Sequence, residues 1–369
     1  MALKGRKSAR ELYKMVLSDL DNRQRRNLRF RSGAARKGGP TIYIWAPDYD
    51  RPAGGTMVLY RHVDVLNEAG ISAAALHRRP GFRYSWFENQ TRTVSLAEAF
   101  FAPGDIVVFP ETEIDLVARL PPDVDYVIFN QNSHLTWKRG DDAFRAYHPG
   151  RANLLGVVVV SRHNLAMLSH SFEGTPVARV HLGIDAEKFW SPRGVRPRRI
   201  SYMPRRGGAD AELVLRILEQ RGALEGWQVE ALDGLDHDAV AERLRASSIF
   251  MAFTYQEGFG LPAAEAMACG NYVIGYHGLA GREFFEPRFS VPIDTGDVLA
   301  FARAVEDAMD REETEPGWLQ GMGAAASDYI HSNYSREREM ADIVSIYARY
   351  RREALAHHSI AAPLERVAS

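Results

Sequence analysis

Glu257-Gly-Phe-Gly-Leu-Pro-Ala-Ala-Glu265-Ala-Met-Ala-Cys-Gly270 is the stretch whose reading decides the rest of this chain. It follows the apolar run Ile249–Phe253 directly, as a loop follows a buried strand. Gly258 and Gly260 keep side chains out of the way, so the backbone can approach a ligand closely. Pro262 suits the first helical position, where its missing N–H costs nothing. Gly270 closes the helix after about two turns. The free amides around Gly260–Ala263 then form a helix N-terminus, which is a ready anion site. Glu257 and Glu265 frame that site. Carboxylates beside an anion repel it unless they accept hydrogen bonds from hydroxyls. A sugar phosphate carries both an anion and hydroxyls.

Outward from this segment, short apolar runs alternate with longer amphipathic ones. Strands are expected at Ile42–Ala46, Ser72–Leu76, Ile106–Phe109, Tyr126–Phe129 and Leu155–Val160, with helices at Gly55–Glu68 and Asn164–Phe172. A Pro- and Gly-rich break follows at 183–197, and the alternation restarts. Strands are expected at Ile200–Met203, Val229–Leu232, Ile249–Phe253 and Tyr272–Gly275. Helices are expected at Asp210–Arg221, Asp238–Ala246, Asp297–Met309 and Arg336–Leu355, the last capped by Ser335. The pattern predicts an α/β fold with two parallel sheets. Ligands of such sheets sit at the carboxyl ends of the strands, so two facing lobes imply a cleft between them.

The segment 257–270 closely resembles the donor site of retaining glycosyltransferases of family four, which have the GT-B fold of two Rossmann-like domains. The family pattern is Glu, seven residues, Glu, with Gly-Phe-Gly-Leu-Pro inside it. The resemblance implies that Glu257 holds hydroxyls of the donor sugar and that Glu265 holds the nucleotide ribose. It places the backbone at Gly258, Phe259, Gly260 and Leu261 against the sugar and the diphosphate. His181-Leu-Gly-Ile-Asp-Ala-Glu-Lys-Phe189 resembles the family's interdomain linker. Tyr202-Met-Pro-Arg205-Arg206 ends the first strand of the second lobe, where the family sets an Arg and then a Lys on the donor phosphates. Arg205 is therefore the expected phosphate contact, with Arg206 as its partner, because Gly207-Gly-Ala-Asp-Ala-Glu supplies no lysine. Gly54 and Gly55 match the family's Gly-Gly loop near the diphosphate.

Arg205 and Glu257 are the expected catalytic residues. The implied reaction is retaining transfer from a nucleotide-diphosphate sugar to a hydroxyl of a glycan or glycolipid, by default in bacterial surface polysaccharide synthesis. No metal and no cofactor beyond the donor is expected. Two other readings stand beside it: a catalytically silent sugar-nucleotide-binding or scaffold protein, and a nucleotide-sugar epimerase on the same fold.

Phe129-Asn-Gln-Asn-Ser-His134 follows a first-lobe strand. Asn130, Asn132 and His134 are acceptor-side candidates, each with the alternative of satisfying the loop itself. Glu111 is either an acceptor-side or a structural residue, and Glu283 reads as structural.

The expected division is a basic, partly helical extension over 1–38 and an acceptor-side domain over 39–182. A donor-side domain over 183–335 follows, then a crossing helix and tail over 336–369. A net charge of -1 conceals an asymmetry: residues 1–38 hold twelve Lys or Arg against three acids, or +9, and the remainder carries -10. That segment suits an anionic membrane surface, an acidic face of the same chain, or a second copy in a homodimer. No nucleic-acid motif accompanies it. The single cysteine, Cys269, excludes an internal disulfide and fits a cytoplasmic setting, up to the inner face of the membrane.

Overall fold

The computed structural model describes Arg25 and residues 27–34, 39–205 and 207–365. Two wholly parallel sheets organise the chain, as the alternating pattern requires. In the first lobe the order of elements is β1 (Ile42–Trp45), α1 (Gly54–Glu68), β2 (Ala73–His77), β3 (Thr93–Ser95), β4 (Ile106–Pro110), β5 (Asp125–Asn130), α2 (Asp141–Ala146), β6 (Leu154–Val159), α3 (Arg162–Ser171) and β7 (Val177–Arg179). Its sheet runs β3-β2-β1-β4-β5-β6-β7. Every residue of β1, β4 and β5 is buried, which is why these strands read as continuous apolar runs.

The second lobe comprises β8 (Arg199–Tyr202), α4 (Gly208–Gln220), β9 (Gln228–Ala231), α5 (His237–Arg245), β10 (Ile249–Glu257), α6 (Leu261–Ala268), β11 (Tyr272–Leu279), β12 (Ser290–Ile293), α7 (Val298–Thr314) and α8 (Trp318–Asn333). Its sheet runs β12-β11-β10-β8-β9. Each order reverses direction once, between β1 and β4 in the first sheet and between β8 and β10 in the second. The loops leaving those four strands are therefore where a ligand crevice belongs.

α9 (Arg336–Glu365) follows the second lobe in sequence but packs on the first, against α1 and β6. Arg61 Nη1 lies 2.8 Å from Glu339 Oε2, a carboxylate with no solvent exposure. His62 of α1 stacks on Phe129 at 4.5 Å and meets Tyr347 of α9 edge-on. Ser335 Oγ accepts the amide of Arg338 at 3.3 Å, the cap expected from its position.

The helix face expected from Leu12, Tyr13, Val16 and Leu20 lies outside the described residues. Arg25 and residues 27–34 of the basic segment pack on the first lobe. Phe30 is buried among Trp45, Phe101 and Phe109, and Gly33 N donates to Phe101 O at 2.8 Å. The Arg25 guanidinium is buried between Glu113 and Asp115. Burial works against its charge, but bonds to Asp115 and Glu113 outweigh this and raise its pKa above the ordinary value. At this position the acidic partner belongs to the same chain. No helix among the described residues is long and apolar enough to cross a membrane.

Candidate active site

The four loops at the two reversal points converge on one cavity of about 560 Å³ between the lobes. From the first lobe come Pro47–Val58 after β1, Glu111 after β4, and Gln131 and Asn132 after β5 (with gaps at Asp48 and Asp50). From the second come Met203 and Arg205 after β8, and Glu257–Ala263 with Glu265 after β10. Asp233, Gly234, Leu235 and His237 close the side beyond β9.

Two helices begin at this cavity without side-chain caps. α1 starts after Ala53 and α6 after Gly260, and neither cap residue offers an oxygen to the free amides. Thr56 N and Ala263 N bond back to Ala53 O and Gly260 O, and Pro262 has no N–H; the other amides that open each helix are available to an anion, and both helix dipoles favour one. Gly260 sits at φ 101°, a conformation that only glycine adopts without strain. It turns the chain from β10 into α6, so that Leu261 and Pro262 open the helix at the cavity wall.

The lobes touch here through backbone. A Cβ built on Gly258 would lie 1.5 Å from the Gln131 carbonyl oxygen. Asn132 Nδ2 donates to Gln256 O at 3.1 Å, and Arg205 Nη1 donates to Pro52 O at 2.9 Å. Gly54 would place a Cβ 3.1 Å from Leu261 Cδ1. Behind the 257–265 loop, Glu283 accepts from Arg162 N at 2.9 Å and pairs with Arg179, both from the first lobe. Its expected structural role is thus a clamp between lobes.

The expected site residues distribute unevenly. Gly54, Gly55, Arg205, Glu257, Gly258, Phe259, Gly260, Leu261 and Glu265 all line the cavity. Arg206 lies outside the described residues. Asn132 lines the wall, but its amide is engaged by Gln256 O and by the His134 N–H. Two acceptor-side expectations are corrected. Asn130 has no solvent exposure; its Nδ2 donates to Thr136 Oγ1 and Tyr147 Oη, each at 2.7 Å. A strand-end amide followed by a short 3-10 helix turns inward to hold that helix. His134 lies off the cavity wall, with its Nε2 3.1 Å from His163 Nε2. Burial lowers the pKa of both imidazoles.

Several residues at the cavity had no assigned role in the sequence. His237 Nε2 lies 3.1 Å from Glu265 Oε1 and orients that carboxylate. Its only sequence signal is a position at the start of the helix after β9. Tyr49, Arg51 and Trp86 form the outer first-lobe rim. Glu111, which the sequence left as either an acceptor-side or a structural residue, sits on the first-lobe floor, buried, with Oε2 accepting the Gln131 N–H at 3.1 Å. Burial pushes its carboxyl up to about 7, against the lowering effect of that amide. Among the described residues no cluster of three or more His, Cys, Asp or Glu is placed to hold a metal ion.

Residues 216–318 match the family model described as Glycosyl transferases group 1. The α-1,6-glucosyltransferase of Actinobacillus pleuropneumoniae serotype 7 (strain AP76) is 24% identical over 278 residues, covering 71% of this chain and 81% of its own. Among solved structures, sucrose-phosphate synthase (tll1590) from Thermosynechococcus elongatus superposes with a TM-score of 0.64 at 15% identity, over 84% of this chain and 98% of that one. Alr3699/HepE from Anabaena, in complex with UDP and glucose, gives 0.61 at 13% identity, over 84% and 98%. At such identities the structural likeness shows the two-lobed GT-B fold alone.

Proposed function

We propose that the chain is a retaining glycosyltransferase of the group 1 kind, moving a sugar from a nucleotide sugar, and that its donor is a uridine-diphosphate hexose; the match of residues 216–318 to the group 1 model and the likeness to the Actinobacillus relative support this. The observation that carries this reading is the convergence of Glu257, Glu265, Arg205 and two uncapped helix N-termini on one interlobe cavity. The UDP and glucose held by the Anabaena neighbour and the name of the Actinobacillus relative support a UDP-glucose type of donor.

In this reading Glu257 accepts hydrogen bonds from donor-sugar hydroxyls. Glu265, oriented by His237, accepts from the ribose. The departing nucleoside diphosphate develops negative charge, which Arg205 and the amides opening α1 and α6 stabilise in a water-poor cleft. The leaving phosphate takes the acceptor hydroxyl's proton on the same face, so no side-chain base is assigned. Lobe closure keeps water from competing with the acceptor. The acceptor is a hydroxyl of a glycan or glycolipid, with surface polysaccharide as the product class. The enzyme works on the cytoplasmic side, with its basic N-terminal segment toward an anionic membrane face.

A thermal-shift panel of UDP, GDP and dTDP tests the donor reading. Saturation at a hundred times Kd adds about 2.7 kcal/mol and raises Tm by several degrees. No shift with any of them refutes it. Glu257→Ala separates enzyme from scaffold: transfer is lost while Tm stays near that of the parent. Unchanged turnover in that variant removes Glu257 from the mechanism.

A further inference from the structure

With Asn130 and His134 turned away from the cavity, the first-lobe wall has to meet a second substrate through other groups. Tyr49 and Trp86 line the cavity at its outer rim, Tyr49 39% exposed and Trp86 half-buried. Tyr49 stands on the β1–α1 loop and Trp86 on the β2–β3 loop. The Arg51 guanidinium, exposed and 5.1 Å from the Tyr49 ring centroid, sets hydrogen-bond donors beside that ring. The neighbouring wall of the same lobe is polar, with Glu111, Thr112 and Gln131.

The two loops are fastened into one body. The Asp48 side chain, 3% exposed, accepts from Arg78 N at 3.1 Å and Arg79 N at 2.7 Å and lies 3.2 Å from His77 Nδ1. His77 Nε2 is 2.8 Å from Tyr60 Oη, which carries this anchor into α1. Asp50 accepts from both the amide and the hydroxyl of Ser85, the residue before Trp86. Tyr84 Oη donates to Pro47 O at 2.5 Å. Asn89 Nδ2 donates to Tyr84 O and Phe87 O, closing the β2–β3 loop around Trp86. The result is two aromatic rings held at the mouth of the cleft by bonds from several side chains. Rings fixed in this way offer contact area to a ligand at little entropic cost.

We propose that Tyr49 and Trp86 form a platform for a sugar ring of the acceptor, so that the acceptor is recognised by its glycan and not by a lipid chain. This rests on the transferase reading above and deepens it. A pyranose has a face of C–H groups and a rim of hydroxyls. The face packs on the two rings, and the rim meets Arg51 and the polar wall at Glu111, Thr112 and Gln131. A lipid chain laid on the same wall would leave those polar groups desolvated without partners. Glu257 and Glu265 stand on the other lobe, so the platform faces the side of the cleft that the donor sugar leaves open.

The test uses the full chain in saturation-transfer NMR, with UDP, GDP and dTDP present in turn. The probes are the methyl glycosides of glucose, galactose, mannose and N-acetylglucosamine, and the parent should bind at least one of them. Tyr49→Ala and Trp86→Ala should each weaken that probe roughly 10-fold, the loss expected when an aromatic anchor is truncated. Tyr49→Phe and Trp86→Phe keep a ring in place and should stay within about threefold of the parent, which separates loss of the platform from loss of the fold. Asp50→Ala unties the loop that carries Trp86 without touching either ring; it too should weaken the probe, with Tm near the parent's. Nucleoside diphosphate affinity, read by calorimetry, should stay within about twofold throughout. A parent that binds a diphosphate but none of the four glycosides overturns the platform and leaves the transferase reading standing. So does parental glycoside affinity in either alanine variant, or an equal fall in diphosphate affinity, which would assign the rings to the donor. A parent that binds neither the glycosides nor any of the three diphosphates overturns both readings.

Discussion

Gly258→Ala isolates the contribution of lobe contact to catalysis. Gly258 is absent from the positive-φ glycines, so an alanine fits its backbone and the effect is purely steric. The added Cβ would lie 1.5 Å from the Gln131 carbonyl oxygen. The closest comfortable carbon–oxygen approach is about 3.3 Å. The two backbones must therefore separate by about 2 Å. Such a separation stretches Arg205–Pro52 O from 2.9 Å and Asn132–Gln256 O from 3.1 Å beyond hydrogen-bonding range. Each lost bond removes about 1 kcal/mol from the closed state. Misplacing reacting groups by about 1 Å can lower the rate roughly 100-fold. We expect kcat/KM to fall at least about 100-fold, with Tm lowered by only a few degrees because neither lobe's core is touched. The assay is release of nucleoside diphosphate with donor and acceptor present, compared with diphosphate binding alone. Binding should weaken much less than turnover. Gly321→Ala is the control, since its Cβ meets nothing within 4 Å in α8; it should leave the rate unchanged and stabilise by roughly 0.5–1 kcal/mol. A G258A protein turning over within about threefold of the parent would refute the claim that this closed contact is the working one.

Two further outcomes follow from burial and charge. Glu111 has its carboxyl raised from 4.5 to about 7, so its bound proton stabilises the folded chain fully below the unfolded value, and that contribution is lost as pH rises through about 7. The difference is on the order of 3 kcal/mol, and Glu111→Gln should flatten the pH dependence of stability between about 4.5 and 7 in denaturant titrations; an unchanged profile refutes the assignment. Arg25→Ala removes the buried guanidinium from Glu113 and Asp115 and should destabilise by about 1–3 kcal/mol in urea unfolding, whereas an unchanged midpoint would mean that this ion pair does not help to hold the segment on the first lobe.

The parts of the fold that could be read from the sequence are those where burial and periodicity agree. β1, β4 and β5 announce themselves because both faces are covered. The strands that escaped, β3, β7 and β12, all lie at sheet edges. β12 contains Pro292, which an edge tolerates and a central strand does not. β10 was expected to stop at Phe253, where apolar residues end, but it runs on to Glu257. Its polar end, Thr254-Tyr-Gln-Glu, leaves the core and carries Glu257 into the cleft. α8 is not among the expected helices, and it contains Gly321 and Gly323. Gly323 is there for contact: a Cβ would meet the Gly270 carbonyl at 1.9 Å where α8 crosses the end of α6.

The site divides along the same line. The loop 257–265 is contiguous, so spacing alone brings its groups together. Partnerships such as His237 with Glu265, or Arg205 with the β1–α1 loop, join segments 28 and 153 residues apart. No local pattern records them. Asn130 and His134 were misplaced because a polar residue at a strand end faces either the cleft or its own loop, and packing around Tyr147 and His163 decides which.

The return of α9 to the first lobe sets an order of events during synthesis. Its Ile343, Tyr347, Tyr350 and Ala354 complete the core that Val58, His62 and Val65 of α1 begin. Those α1 residues leave the ribosome more than 270 residues before their covering helix. The second lobe is therefore made, and free to fold, while the first still exposes an apolar stripe. A nascent chain stalled before Ser335 would carry an intact second lobe and a sticky, unfinished first one, the kind of species that chaperones retain and proteases remove.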